Sequence, residues 1–95
     1  SRSNCFVSAA SYWEIAIKMK IGKIKLSEPI SKFIKKQKTY GIRTINITPK
    51  ILQALTDLRT IKNHKDPFDH IIISTAMEYN LEIMTSDRQI KKYLL

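Results

Sequence analysis

Cys5-Phe6-Val7-Ser8-Ala9-Ala10-Ser11-Tyr12-Trp13-Glu14-Ile15-Ala16-Ile17-Lys18 decides the fold class. Its opening stretch, Cys5–Ala9, is apolar and too short for a helix, so it reads as a strand. Residues 11–21 follow a helical pattern, with Trp13, Ala16, Ile17 and Ile21 on one face and Ser11, Glu14 and Lys18 on another. Gly22 then stops the helix. A strand that feeds directly into a helix is the unit of an α/β protein, and the rest of the chain repeats the theme. Residues 28–40 read as a second helix, with Ser27 as its cap, Pro29 in its first turn and Gly41 at its end. Its apolar stripe is Ile30, Phe33, Ile34 and Tyr40; its outer face is Lys32, Lys35, Lys36 and Lys38. Residues 42–47 alternate apolar and polar as an edge strand does. Thr48-Pro49 opens a helix carrying Ile51, Leu52, Leu55 and Leu58, and Asn63–Lys65 is a basic loop. Asp66-Pro67 starts a helix over 67–79, followed by a strand at Leu81–Thr85 and a short helix over 87–93. Alternating strands and helices predict an α/β fold with a mainly parallel sheet. Three strands are few for four or five helices, so part of the domain is expected to lie outside this chain.

The bulk numbers narrow the function classes. Ninety-five residues make one small domain. A chain of this size buries about 60–65% of its unfolded surface, so its core is thin. Seventeen Lys and Arg against eight Asp and Glu give a net charge of +9. That surplus points to acidic partners, nucleic acid first and anionic membrane second, with a merely solvated surface as the plain alternative. A single cysteine, Cys5, excludes an internal disulfide framework and fits a reducing cytoplasm. No apolar run approaches the ~18 residues of a membrane span, and no signal-peptide pattern opens the chain. The first residue is Ser1 rather than Met, which reads as a cloning boundary, a processed product or a proteolytic fragment. With only Gly22 and Gly41, a glycine-rich phosphate loop is absent.

Three acids stand out against this basic background. Glu14, Asp69 and Asp87 each read as lying in the first turn of a helix, and two of those helices follow strands. In an open α/β sheet the strand C-termini share one edge, where ligands bind. Carboxylates converging there would form a divalent-metal site facing a polyanion, because hard cations such as Mg²⁺ take oxygen ligands. Each acid also has a structural explanation. Ser11 and Glu14 have capping-box spacing, Asp66 is a helix cap with Asp69 three positions later, and Ser86 with Gln89 forms another box that leaves Asp87 to complement the helix dipole. Glu14 also has the i,i+4 spacing for an ion pair with Lys18.

The remaining candidates are weaker. Cys5 has no basic neighbour to activate it and reads as a small buried residue. His64 and His70 have no zinc spacing and read as surface residues. Ser8, Ser11 and Ser74 lack any nucleophile motif. Trp13, Phe33 and Phe68 read as core. The lysine face at 32–38 is either a track for a nucleic-acid backbone or a solvated helix face.

Three blocks resemble a known family. Val7–Lys18 followed by Gly22-Lys23-Ile24 resembles the second strand and following helix of PIN-domain proteins, particularly VapC-like toxins. His64-Lys65-Asp66-Pro67-Phe68-Asp69 with Ile71–Ala76 resembles a later helix, and Thr85-Ser86-Asp87 resembles the end of the fourth strand. The blocks occur in family order and span Val7 to Tyr93. The resemblance implies a PIN-like, Rossmann-like parallel sheet with helices on both faces. It implies a Mg²⁺- or Mn²⁺-dependent endoribonuclease paired with a cognate antitoxin. It assigns Glu14, Asp69 and Asp87 as the metal-binding acids, with Ser86 or Thr85 in support and Asp66 as a cap. His70 stands where many relatives carry Arg.

One departure matters. The family begins with a central strand ending in an acid and then a helix, and nothing in Ser1–Phe6 replaces that Asp. The last strand is also expected to be cut off after Tyr93-Leu94-Leu95. The chain thus reads as a single PIN-like domain over 1–95 that is N-terminally incomplete and lacks its C-terminal strand. Two functions follow as expectations: a metal-dependent ribonuclease of a toxin–antitoxin pair, or a non-catalytic fragment that binds RNA or protein. Exposed strand edges in an incomplete sheet predict a homo-oligomer.

Overall fold

A computed structural model describes residues 5–59 and 66–82. The elements run β1 (Cys5–Ser8), α1 (Ala9–Lys20), α2 (Ile30–Thr39), β2 (Ile42–Ile45), α3 (Pro49–Asp57) and α4 (Pro67–Tyr79). The two strands pair in parallel, with Cys5 opposite Ile42 and Ser8 opposite Ile45. The protein is thus α/β, with its parallel pair joined through helices, as strand–helix alternation requires. The expected helix over 87–93 and most of the expected strand at Leu81–Thr85 lie outside the described residues; Leu81 and Glu82 are not in a strand.

The chain forms two compact units, Ser1–Asn46 and Ile47–Leu95. In the first, α1 and α2 pack around the β1–β2 ladder. The Tyr12 and Phe33 rings meet edge to face with centroids 6.3 Å apart, a favoured aromatic geometry. This contact fixes the rotation of α1. Tyr12 and Ala10 are buried, whereas Trp13, Ile17 and Ile21 are exposed, Trp13 at 56%. The expected core stripe of α1 is therefore displaced around the helix: Tyr12 goes inward and Trp13 outward. Tyr40 also lies outside the stripe assigned to it, 70% exposed. It is the C-cap of α2, where helical spacing no longer sets side-chain direction. Pro29, not Ser27, is the N-cap of α2, and it makes no side-chain cap bond.

Helix ends follow their local chemistry. Gly22 has φ +80°, and the Lys23 and Gly22 N–H groups donate to the carbonyls of Lys18 and Met19 at 2.8 and 3.1 Å. That is a Schellman closure, whose left-handed residue favours glycine. Asn80, at φ 55°, ends α4 in the same way, with the Leu81 N–H on the Ala76 carbonyl at 2.7 Å.

In the second unit α3 packs against α4. Ile51 of α3 and Ile71, Ile73, Ser74, Thr75 and Ala76 of α4 are buried. The burial of consecutive residues in α4 means that it is enclosed on most sides, as a core helix is. Thr48 caps α3 by accepting the Ile51 N–H at 3.3 Å, and Pro49 sits in the first turn. Among the described residues no helix is long and apolar enough to cross a membrane.

Candidate functional site

The position of Glu14 follows from how β1 ends. Ser8, the last strand residue, is buried, and its Oγ accepts the Ala10 N–H at 3.0 Å. It is therefore the N-cap of α1, in extended conformation with its side chain folded onto the helix start. Ser11 lies inside the helix and is not its cap. Glu14 consequently falls in the second turn rather than the first, beyond the position from which a capping box closes. The chain enters the helix earlier than its polar spacing suggests because Ala9 and Ala10 are strong helix formers that need no strand neighbour. Glu14 is half-buried, and its Oε2 lies 3.4 Å from Lys18 Nζ. Both side chains keep a third or more of their surface in water, and such an i,i+4 pair contributes about 0.3–0.5 kcal/mol. Capping therefore does not explain this acid, and the ion pair explains little of it.

Asp69 is placed by α4. Asp66 Oδ1 accepts the Phe68 N–H at 2.9 Å, and Pro67 takes the first helical position. Asp66 is thus the cap, as the sequence predicts, and Asp69 sits in the first turn, half-buried. The unsatisfied N–H groups of a helix start carry partial positive charge, which favours a carboxylate there. His70, next to it, is half-buried rather than a surface residue.

Asp87, Thr85, Ser86 and His64 lie outside the described residues. Glu14 belongs to the first compact unit and Asp69 to the second. Among the described residues no group of three or more His, Cys, Asp and Glu is placed to hold a metal ion. The donor chemistry nonetheless fits a hard cation: Glu14 and Asp69 both offer carboxylate oxygens, the ligands that Mg²⁺ and Mn²⁺ prefer. Cys5 is exposed, not the buried residue expected. Phe33 and Phe68 are half-buried, so of the three aromatics expected in the core only Trp13 is clearly outside it.

Charge is divided unevenly. Ser1–Asn46 carries ten Lys and Arg against two acids, whereas Ile47–Leu95 carries seven against six. The composition alone concealed this, because the boundary at Asn46 becomes visible only once the chain is folded.

The sequence profile of the PIN domain matches residues 1–93. Among curated proteins, Ribonuclease VapC22 of Mycobacterium tuberculosis is 29% identical over 87 residues, a stretch that covers 92% of this chain and 65% of that protein. The chain thus spans somewhat under two thirds of the length of that relative. No solved structure gives a significant match. With a parallel strand pair feeding capped helices and a profile match over nearly its whole length, the chain belongs to the PIN domain family.

Proposed function

We propose that the protein acts as a VapC-like endoribonuclease, hydrolysing RNA phosphodiester bonds with Mg²⁺ or Mn²⁺ held by Glu14, Asp69 and Asp87. The observation that carries this reading is the placement of Glu14. With Ser8 as the cap, Glu14 has no capping role, and it stands half-buried on α1. The similarity to a named ribonuclease over 92% of the chain supports it. When bound, the cation supplies an activated water and neutralises charge on the leaving oxygen. Glu14 and Asp69 contribute anionic oxygens from positions set by two capped helices, and Ser86 or Thr85 supports Asp87. The net charge of +9 draws the RNA backbone by counterion release.

A cognate antitoxin is the proposed protein partner, and self-association the proposed oligomeric behaviour. The exposed side chains of Trp13 and Ile17 support a protein contact, since their i,i+4 spacing places them on one side of α1. The cytoplasm, where a lone exposed thiol stays reduced, is the proposed location.

The test is Asp69→Asn, assayed for Mn²⁺-dependent cleavage of a panel of RNAs. Loss of cleavage with RNA binding retained in EDTA is expected. Cleavage at the unaltered rate would remove Asp69 from the mechanism.

A further inference from the structure

The lysines of α2 take no part in the acid site proposed above, and the structure gives them a distinct setting. Lys32, Lys35, Lys36 and Lys38 are all exposed, while Ile30, Phe33, Ile34 and Gln37 form the half-buried side of the same helix. The sequence of α2, Ile-Ser-Lys-Phe-Ile-Lys-Lys-Gln-Lys-Thr, contains no acid. The first unit holds only two acids, and both are already engaged by lysines: Glu14 by Lys18 at 3.4 Å and Glu28 by Lys36 at 3.2 Å. Lys32, Lys35 and Lys38 are therefore exposed cations in a unit whose ten Lys and Arg face two acids. Nearly all of the protein's net charge resides in this unit.

We propose that the outer face of α2 is an RNA-backbone docking surface that grips phosphates through Lys32, Lys35 and Lys38 without reading sequence. The proposal rests on the ribonuclease reading for its choice of polyanion. Two features favour RNA over other acidic partners. An amphipathic helix that lies on a membrane inserts its apolar face, but here Phe33 is turned inward against Tyr12. A protein interface concentrates aromatic anchors and excludes lysine from its centre, and the outward positions of α2 are lysine, serine and threonine. A line of cations with no apolar anchor matches a phosphate backbone, whose binding is dominated by counterion release.

The experiment is fluorescence anisotropy with a labelled, mixed-sequence single-stranded RNA in EDTA, over a series of salt concentrations. The full chain is compared with a triple variant, Lys32→Gln, Lys35→Gln and Lys38→Gln. The expected result is an affinity about tenfold or more weaker at low salt, and a salt slope shallower by about 2, since each single-strand phosphate contact contributes about 0.7. The loss should be the same for RNAs of unrelated sequence. Circular dichroism should show unchanged folding, and the corresponding Lys→Arg triple should bind like the parent.

Unchanged affinity and slope in the Gln triple would overturn the proposal while leaving the ribonuclease reading intact. No RNA binding by the parent chain would remove both. Polyglutamate or phosphatidylserine vesicles bound more tightly than RNA, and lost in the same variant, would reassign the face to an acidic protein or a membrane.

Discussion

Glu14 Oε2 lies 3.4 Å from Lys18 Nζ, one helical turn further along α1, and both groups remain in contact with water. The lysine thus competes with any cation for the same carboxylate, but only weakly, because the pair is solvent-screened and contributes about 0.3–0.5 kcal/mol. Lys18→Gln is accordingly expected to change Mn²⁺ affinity by no more than about twofold to threefold, and towards tighter binding. Glu14→Gln removes the charge of a proposed ligand and should weaken it by more than about tenfold. Isothermal titration of the two variants separates the roles. Equal effects would mean that Glu14 serves the ion pair rather than the metal.

The first turn of α4 separates a structural acid from the proposed ligand. Asp66 caps the helix through its bond to the Phe68 N–H, so Asp66→Ala should cost about 0.5–1 kcal/mol of stability. Its effect on metal affinity should be small. Asp69→Asn should show the reverse, keeping most of the stability and losing the metal response. Thermal melts with and without Mn²⁺ provide the check: the parent and Asp66→Ala should both be stabilised by the cation, and Asp69→Asn should not. A cation-dependent shift retained in Asp69→Asn would refute the assignment.

Ser8 and Ser11 offer a sharper comparison. Of the two, Ser8 is the one whose Oγ accepts a helix-start N–H, and Ser8 is buried. Ser8→Ala is therefore expected to destabilise by about 1 kcal/mol or somewhat more. Ser11→Ala, at an interior helical position, is expected to be neutral or slightly stabilising, because alanine is the better helix former. Urea midpoints of the two variants decide it, and the opposite order would restore Ser11 as the cap.

These residues also show what the sequence makes legible. Local signals that compete with nothing are legible: Thr48-Pro49, Asp66-Pro67, Gly22 and Gly41 each punctuate a helix through backbone chemistry that belongs to the residue itself. The parallel β1–β2 pairing followed from alternation. Two kinds of information were out of reach. The rotation of α1 depends on Tyr12 meeting Phe33 of another element, and a helix with apolar residues on more than one side does not reveal which side wins. Ser11 has capping spacing, yet Ser8 takes the role because β1 ends there, which spacing does not show. The acids were legible as candidates because a basic chain makes them conspicuous, and the family resemblance ordered them. The half-buried setting of Glu14 and its freedom from capping follow from where β1 ends, which residue spacing does not show.

Ser74 gives the last prediction. It is fully buried in α4, and its Oγ has no hydrogen-bond partner among the described residues. Its neighbour Thr75, also buried, donates its hydroxyl to the Ile71 carbonyl at 2.7 Å. A buried hydroxyl without a partner costs about 1–3 kcal/mol of desolvation that alanine avoids. Ser74→Ala should therefore leave stability unchanged or raise it by about 1 kcal/mol, whereas Ile73→Ala in the same buried turn should lower it by about 2–5 kcal/mol. Chemical denaturation of both variants tests the pair. Destabilisation of Ser74→Ala by more than about 1 kcal/mol would mean that the hydroxyl is satisfied in solution, with water or a residue beyond the described ones as its partner.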